Sequence, residues 1–149
     1  MKILVIHGPN LNLLGKREKS IYGTLTLSQI NKEIEKVALS QKVKVDFYQS
    51  NHEGEIVTKI QEADDLYHGI LINPAAFTHT SVAVRDAIAS IQIPVVEVHL
   101  SNIHARESFR KESYVSPVAA GVIFGFGKES YLLGLRGLIS ILSSRKGKK

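Results

Sequence analysis

The stretch Gly69–His99, GILINPAAFTHTSVAVRDAIASIQIPVVEVH, decides the predicted fold. It begins with the apolar run Gly69–Ile72 and ends with a second apolar run, Val95–His99. Between these runs we predict a helix over Thr80–Ile91. A strand, a helix and a second strand in succession form a βαβ unit, in which the two strands are parallel.

The same alternation extends along the whole chain. The other predicted strands are Lys2–His7, Val43–Tyr48 and Ala120–Phe124, and the other predicted helices are Ser28–Leu39, Glu55–Ala63, Ala105–Lys111 and Ser130–Leu142. Thr26 or Ser28 is a candidate cap for the first helix, and Thr78 or Thr80 for the helix after the third strand. Together they predict an α/β fold: a flavodoxin-like doubly wound five-stranded parallel sheet in the order 2-1-3-4-5, with helices on both faces in three layers.

Length and composition predict one soluble domain. We place it at residues 1–144, followed by a basic tail over residues 145–149 that we expect to be solvated and disordered. The net charge is +5, and the few scattered aromatic residues argue against a nucleic-acid partner. We expect no membrane span and no signal peptide, and the absence of cysteine favours the cytoplasm.

Polar and ionisable side chains follow three of the predicted strands at their carboxyl ends. They are Asn10, Asn12, Arg17 and Tyr22 after the first strand, Asn73, Thr78, His79, Thr80 and Asp86 after the third, and His99, Ser101, Arg106 and Arg110 after the fourth. Ligands of open α/β sheets bind at this edge. The clustering therefore predicts a site for a small, hydroxylated anion that is handled by acid–base chemistry.

The usual cofactor and metal motifs are incomplete. Gly125-x-Gly127 lacks the third glycine and the downstream acid of a dinucleotide-binding loop. The Gly8–Gly15 loop has no hydroxyl residue that could bind a flavin phosphate. Pairs such as His52 and Glu53 lack further ligands at metal-binding spacing. We therefore predict a site without metal or cofactor.

Several long segments carry a resemblance to a known family. They are GPNLNLLG at Gly8–Gly15, Arg17-Glu18 with Tyr22-Gly23, QSNHEG at Gln49–Gly54, NPAAFTHTSVAVRD at Asn73–Asp86, EVHLSNIHARESFR at Glu97–Arg110 and SYVSPVAAGV at Ser113–Val122. At these residues, and in this order, the chain resembles type II 3-dehydroquinate dehydratase, the shikimate-pathway enzyme. The resemblance covers nearly the whole chain except the basic tail.

The resemblance implies a reaction and roles for four residues. The reaction is the cofactor-independent trans elimination of water from 3-dehydroquinate, which gives 3-dehydroshikimate through an enolate on the route to chorismate and the aromatic amino acids. Tyr22 would remove the C2 proton, and Arg17 would keep Tyr22 ionised. His99 would protonate the departing hydroxyl, and Asn10 would hold a water against the enolate oxygen.

The resemblance also implies substrate contacts and an assembly. The residues expected to bind substrate hydroxyls are Asn73, His79, Asp86 and Arg110, and those expected to bind the carboxylate are Leu100 and Ser101. The family forms a homododecamer, a tetramer of trimers, in which the counterpart of Asp86 reaches a neighbouring subunit's site. The chain departs from the family pattern at Lys19-Ser20, where a proline often follows the Arg-Glu pair, which adds charge and freedom to the loop that closes over the substrate.

Two further assignments follow from the residues themselves. Ionising a tyrosine at neutral pH costs about 4 kcal/mol, which one neighbouring arginine barely offsets. We therefore predict that Arg106 places a second positive charge near Tyr22. Glu97 and His99 are two residues apart and share one face of a strand, so Glu97 is expected to orient His99 and stabilise its charged form. A core salt bridge is the alternative role for Glu97.

Structural roles are the simpler interpretation for the other polar residues. One rival function also remains. We interpret His7 as a packed core residue, His104 as structural, and Arg85, beside Asp86, as a member of an ion pair at a subunit contact or on the helix surface. The rival is a non-catalytic flavodoxin-like module that binds an acidic metabolite or an RNA through the basic tail. The combination of a base at Tyr22 with an acid at His99 favours an enzyme, since a binding module needs neither.

Overall fold

The predicted parallel sheet is present. The computed structural model describes residues 1–16 and 18–146. Its five strands are β1 Lys2–His7, β2 Lys44–Gln49, β3 Gly69–Asn73, β4 Val95–His99 and β5 Gly121–Phe124. All pair in parallel in the order β2-β1-β3-β4-β5, which confirms the predicted flavodoxin-like topology. Because β1 lies between β2 and β3, the chain reverses its winding direction there, and a crevice forms at the carboxyl ends of these strands.

Helices cover both faces of the sheet. They are α1 Lys19–Tyr22, α2 Leu27–Ser40, α3 Glu53–Leu66, α4 Val82–Ser90 and α5 Glu129–Lys146. On one face, Val5 and Leu71 of the sheet are buried in a cluster with Leu135 of α5. On the other face, Ile6 and Ile72 are buried with Ile60 of α3. Burying such a side chain contributes about 1.5–3 kcal/mol, so these two layers fix the sheet on which the site is built.

The predicted cap is confirmed at α2 and is wrong at α4. Thr26 begins α2 with a capping box, in which its hydroxyl accepts from the Gln29 amide and its own amide donates to the Gln29 side chain. The helix predicted over Thr80–Ile91 begins later, at Val82, because the Ser81 hydroxyl caps it by accepting from the Val84 amide at 2.9 Å. The residues before it, Ala75–His79, form a 3-10 helix instead.

The short helix predicted over Ala105–Lys111 is wrong. The chain makes two separate 3-10 turns, Ile103–Ala105 and Ser108–Arg110, because Arg106 and Glu107 between them are extended. The first turn is capped by Asn102, whose side chain accepts from the His104 amide at 3.1 Å. The extended break matters for the site, because it allows Arg106 and Arg110 to reach the same pocket.

The last helix is longer than predicted. It continues past Leu142 to Lys146, so Arg145 and Lys146 of the predicted basic tail are helical, and residues 147–149 lie outside the described part of the chain. The Arg145 guanidinium donates to the Gln92 carbonyl at 3.5 Å, which ties the last turns of the helix to the loop before β4. Within residues 1–16 and 18–146, no helix combines the length and apolar character that a bilayer crossing requires.

Candidate active site

A pocket opens where β1, β3 and β4 end, at the edge that the sequence predicted. Its lining comes from four segments: Pro9, Asn10, Leu11, Leu14 and Tyr22 after β1; Asn73, Ala75, Ala76 and His79 at and after β3; His99, Leu100 and Ser101 at the end of β4; and Ile103, Arg106 and Arg110 on the turns that follow. Most of the predicted site residues therefore share one pocket. Two of the others are described and lie outside the lining: Glu97 lies behind His99, and Asp86 lies on the surface of α4. Arg17 is outside the described residues.

Glu97 and His99 form a buried pair on one face of β4. The Glu97 side chain is fully buried, and its Oε1 lies 2.7 Å from His99 Nε2. With Nε2 held by the carboxylate, Nδ1 is the ring nitrogen available to a ligand in the pocket. This geometry matches the predicted orientation of the imidazole by Glu97. The same contact is the one that the alternative role, a core salt bridge, would use, so the geometry is compatible with both.

Three hydroxyl groups complete the shell of the Glu97 carboxylate. Thr78 and Ser113 donate to Oε1, the latter at 2.9 Å, and Ser116 donates to Oε2 at 2.5 Å. Burial alone would raise the pKa of Glu97, but the hydrogen bonds from His99, Ser116 and Thr78 outweigh burial and hold its pKa below the ordinary range. Glu97 is therefore a carboxylate that keeps its charge without solvent.

Sequence reasoning missed this hydroxyl shell. Ser113 and Ser116 lie in one of the segments that carried the family resemblance, but neither received a role. The signal was a pair of serines three residues apart, bracketing a tight turn in which the Ser113 oxygen accepts from the amides of Val115 and Ser116. A turn of this kind presents both hydroxyls to one side, where β4 supplies the carboxylate.

Tyr22 and Arg106 meet on the other side of the pocket. Arg106 Nη1 donates to the Tyr22 hydroxyl at 2.7 Å, and the guanidinium lies 5.2 Å from the centre of the tyrosine ring. Arg106 is the charge that we expected near Tyr22, although the two residues are 84 positions apart in the chain. A guanidinium donor at this distance gives the Tyr22 oxygen a charge-assisted hydrogen bond that fixes its place at the pocket.

The two arginines of the pocket are tied to one carboxylate. Glu107 Oε2 accepts from Arg110 Nε at 2.8 Å and lies 3.7 Å from Arg106 Nε. The side chain of Glu107 is half exposed, so its pairing with the two arginines adds little to the stability of the fold. It orients the guanidinium groups instead. Its effect is to hold both guanidinium groups toward the pocket, where they form its positive side.

His79 faces His99 across the pocket. Their ring centres are 6.4 Å apart, and His79 Nδ1 lies 2.6 Å from the Glu112 carbonyl, which identifies Nδ1 as the protonated nitrogen. Burial lowers the pKa of His79, and the positive charges of His99 and Arg110 lower it further, against the Glu112 carbonyl. His79 is therefore held neutral beside a second histidine, with Nε2 left to accept from a ligand hydroxyl.

Asn10 is held in a left-handed backbone conformation at the mouth of β1. Its φ is 68°, and its amide donates to Asn51 Oδ1 at 2.9 Å. Gln49 donates both to Asn51 and to the Gly8 carbonyl, so the end of β2 braces the loop. Gly8 is required there, since a Cβ would lie 2.4 Å from the Pro74 carbonyl oxygen. The Gln49–Gly54 segment thus has a supporting role that the sequence did not reveal.

Residues interpreted as structural are placed as expected. His7 is fully buried. His104 packs edge-on against Phe124, with ring centres 5.1 Å apart. Asp86 pairs with Arg85 at 2.7 Å on the surface of α4, and its side chain is 62% exposed. Among the residues that the structure describes, no three histidine or acidic side chains are grouped as a metal site.

The fold and the pocket define the class of protein: a flavodoxin-like α/β protein with a pocket of ionisable side chains, sized for a small molecule, at the carboxyl ends of its strands. The sequence model of the class II dehydroquinases matches residues 1–139, and the chain belongs to that family.

Individual relatives agree with this assignment. The 3-dehydroquinate dehydratase of Geotalea daltonii is 59% identical over 140 residues, which are 94% of this chain and 97% of the relative. The enzyme of the same name from Brucella canis is 59% identical over 139 residues, covering 93% and 88%. The crystal structure of type II dehydroquinase from Butyrivibrio crossotus superposes with a TM-score of 0.91 at 49% identity and covers 93% of this chain and 97% of that one.

Proposed function

We propose that this chain is a 3-dehydroquinate dehydratase of the shikimate pathway, which removes water from 3-dehydroquinate by trans elimination through an enolate. One observation carries the proposal: a single pocket in a class II dehydroquinase holds a tyrosine hydroxyl on a guanidinium and an imidazole on a buried carboxylate. The first pair is suited to act as a base and the second as an acid. Their positions on two sides of the pocket suit an elimination that needs both.

In the first step the Tyr22 phenolate takes the C2 proton, and the electrons of that C–H bond move into the enolate. The contact with Arg106 supports an ionised Tyr22. Arg17, which lies outside the described residues, supplies the second positive charge in this proposal on the strength of the family resemblance alone. Two cations together can offset the cost of about 4 kcal/mol for ionising a tyrosine at neutral pH.

In the second step the enolate collapses and expels the hydroxyl, which leaves as water. His99 gives it a proton from Nδ1, while Glu97 stabilises the imidazole by accepting from Nε2. Asn10 would hold a water against the enolate oxygen, where the negative charge builds up. After the product leaves, Tyr22 carries one proton more and His99 one proton fewer than at the start, and proton exchange with water restores both. No electron or group other than water leaves the substrate, so the reaction in this form requires no cofactor or metal.

The remaining pocket residues would bind the substrate. Asn73, His79 and Arg110 line the pocket and would contact hydroxyls, and Leu100 and Ser101 would bind the carboxylate through the end of β4. Asp86 is exposed on α4, which suits a residue that completes the site of a neighbouring subunit. We accordingly propose a homododecamer, a tetramer of trimers, located in the cytoplasm, with residues 1–144 as the catalytic domain.

An absorbance assay tests the proposal directly. Purified protein is mixed with 3-dehydroquinate, with and without a chelator, and the conjugated enone of the product is followed in the ultraviolet. We expect the same rate in both samples, and no absorbance change from folded protein would refute the assignment. Deleting the basic tail, residues 145–149, should leave the rate unchanged, whereas a module that binds through this tail would lose its function. Light scattering tests the dodecamer.

A further inference from the structure

A turn behind the pocket supplies two of the hydroxyls around Glu97. It is formed by residues 112–116, none of which lines the pocket. Ser113 donates to Glu97 Oε1 at 2.9 Å, and Ser116 donates to Glu97 Oε2 at 2.5 Å. The proposed reaction gives neither serine a part, so their place around a buried carboxylate requires a separate explanation.

The hydrogen bond from Ser113 to Glu97 has a fixed direction. Ser113 Oγ accepts from the amides of Val115 at 3.1 Å and Ser116 at 3.0 Å, which uses both of its lone pairs. Its one hydrogen must point elsewhere, and Glu97 Oε1 at 2.9 Å is nearer than the Thr78 hydroxyl at 3.3 Å. The backbone of the turn therefore makes Ser113 a donor to Glu97.

The acceptor sites of Glu97 are filled. An ionised carboxylate has about four lone-pair sites for hydrogen bonds. The described residues supply four donors, which are His99, Thr78 and Ser113 on Oε1 and Ser116 on Oε2. Because a carboxylate only accepts, the hydrogen in the contact with His99 belongs to Nε2.

Moving that hydrogen from His99 to Glu97 would weaken the other bonds of the carboxylate. The oxygen that faces His99 is Oε1, which also accepts from Thr78 and Ser113. If Oε1 took the proton, these two bonds would change from charge-assisted to neutral, and neutral bonds are about half as strong. The arrangement therefore opposes proton transfer along the contact.

The other ionisable side chains near this pair line the pocket together with His99. They are Tyr22, His79, Arg106 and Arg110. All four stay in place when a hydroxyl behind Glu97 is removed. A change in the titration of Glu97 can therefore be assigned to the hydroxyl.

We propose that Ser113, Ser116 and Thr78 are positioning residues that let Glu97 accept a hydrogen bond from His99 without taking its proton. The inference rests on the proposed function, because it takes His99 as the acid. His99 keeps its Nε2 hydrogen through the cycle, and it gives up and regains a proton only at Nδ1, which faces the pocket. Glu97 orients the acid and is not a proton relay.

The first test measures Glu97 by carbon-13 NMR of protein labelled at the glutamate carboxyl carbons. The Glu97 resonance is the one that Glu97→Gln removes. In Ser113→Ala its titration midpoint should lie about one pH unit above that of the wild type, because a donor to the charged form is lost. The double variant with Ser116→Ala should shift the midpoint by about two units.

Two further variants separate this effect from a general loosening of the turn. Thr78→Val keeps the shape of a fully buried side chain and should also raise the midpoint, whereas Thr78→Ser should keep the wild-type value. Ser81→Ala is the matched control, because Ser81 also accepts from an amide and donates to a carboxylate, that of Glu53. It should leave the Glu97 midpoint unchanged. Equal midpoints in the wild type and Thr78→Val would overturn the proposal.

The second test is the pH dependence of kcat in the double variant, divided by that of the wild type. The ratio removes the effect of pH on groups that both proteins share. It should fall about tenfold between pH 8 and pH 5, as Glu97 takes up a proton and no longer orients His99. A ratio that is low but equal at every pH would show a merely structural role. The NMR titration needs no substrate, so failure of this proposal is distinguishable from failure of the proposed function, which the absorbance assay reports.

Discussion

The two sides of the pocket are built in different ways. The acid side, His99 with Glu97, stands on a central strand, is buried, and is held by hydrogen bonds from three hydroxyls. The base side, Tyr22, lies at the end of a four-residue helix in the Gly15–Gly23 segment and is only partly buried. Its one described side-chain hydrogen bond comes from Arg106.

This difference indicates a division of labour. A group that must hold a charge in a buried place needs partners that are present before the substrate arrives, and a strand end supplies them. A group that must let the substrate in needs a segment with few packing contacts. The proposed acid is thus preorganised by the fold, whereas the proposed base depends on the position of its loop and, among the described residues, on the guanidinium of Arg106.

The largest effect is expected at the base. Tyr22→Phe should lower kcat by at least about 10³-fold, because a general base contributes about 10²–10⁴-fold. The midpoint of denaturant unfolding should stay within error, since the partly buried Tyr22 hydroxyl contacts only Arg106 among the described side chains. Tyr48→Phe, on β2 away from the pocket, is the control and should keep full activity. Substantial residual turnover in Tyr22→Phe would assign the base elsewhere.

The acid side should respond in both activity and stability. Glu97→Gln places an amide N–H₂ against hydroxyl and imidazole donors, so it should lower kcat about 10²-fold and the free energy of unfolding by about 3 kcal/mol. Denaturant titration and steady-state kinetics measure the two effects. Glu33→Gln, an exposed pair partner of Lys36, is the matched control. If Glu97→Gln were as stable as the wild type, the two sides would not differ as we describe.

The same contrast explains how far the sequence could predict the structure. Strand β4 was predicted at Val95–His99, with Glu97 and His99 on one face, because alternation along a strand follows directly from the residue period. The contact of Arg106 with Tyr22 was predicted from charge compensation, not from local pattern. Both predictions follow from properties that can be read from the residues themselves: their spacing along a strand in the first case and their charge in the second.

What could not be predicted depends on turns that distant parts of the chain hold in place. Ser113 and Ser116 contact Glu97 only because the chain after the 3-10 turn Ser108–Arg110 returns to β4. The helix predicted over Ala105–Lys111 is absent because Arg106 and Glu107 are extended. In this conformation Arg106 reaches Tyr22, which is distant in the sequence. Local propensity does not record such contacts.

A smaller effect is expected at Arg106, which donates a hydrogen bond to Tyr22. Arg106→Ala removes a charge-assisted hydrogen bond worth about 2 kcal/mol, so kcat/KM should fall about thirtyfold and the pH–rate profile should shift along the pH axis. Arg106→Lys keeps the charge but loses the planar guanidinium. Its kcat/KM should therefore lie between those of the wild type and Arg106→Ala. Lys111→Ala removes a charge from the same segment as the control. An unmoved pH–rate profile in Arg106→Ala would show that Tyr22 does not need this charge.

The smallest effect is expected at His7, at the end of β1 in the sheet. It is an effect on the free energy of unfolding that is absent at neutral pH and appears only on acidification. His7 has a folded-state pKa of about 4, below the value of about 6.5 expected when unfolded, so the unfolded chain binds more protons between these pH values. Stability is therefore present above pH 6.5 and lost as the pH falls, by about 2 kcal/mol at pH 5 and at most about 3 kcal/mol.

Replacing His7 isolates this contribution. His7→Gln should flatten the fall in the free energy of unfolding between pH 7 and pH 5 by about 2 kcal/mol, measured by denaturant titration at each pH. His68→Gln, at a surface position where the ring accepts from the Lys2 amide, should leave the slope unchanged. If both variants keep the wild-type slope, His7 is not the group that makes the sheet side sensitive to acid. In that case the sheet that carries the pocket incurs no stability cost for burying an imidazole at the end of β1, and the contrast with the loop rests on Glu97 alone.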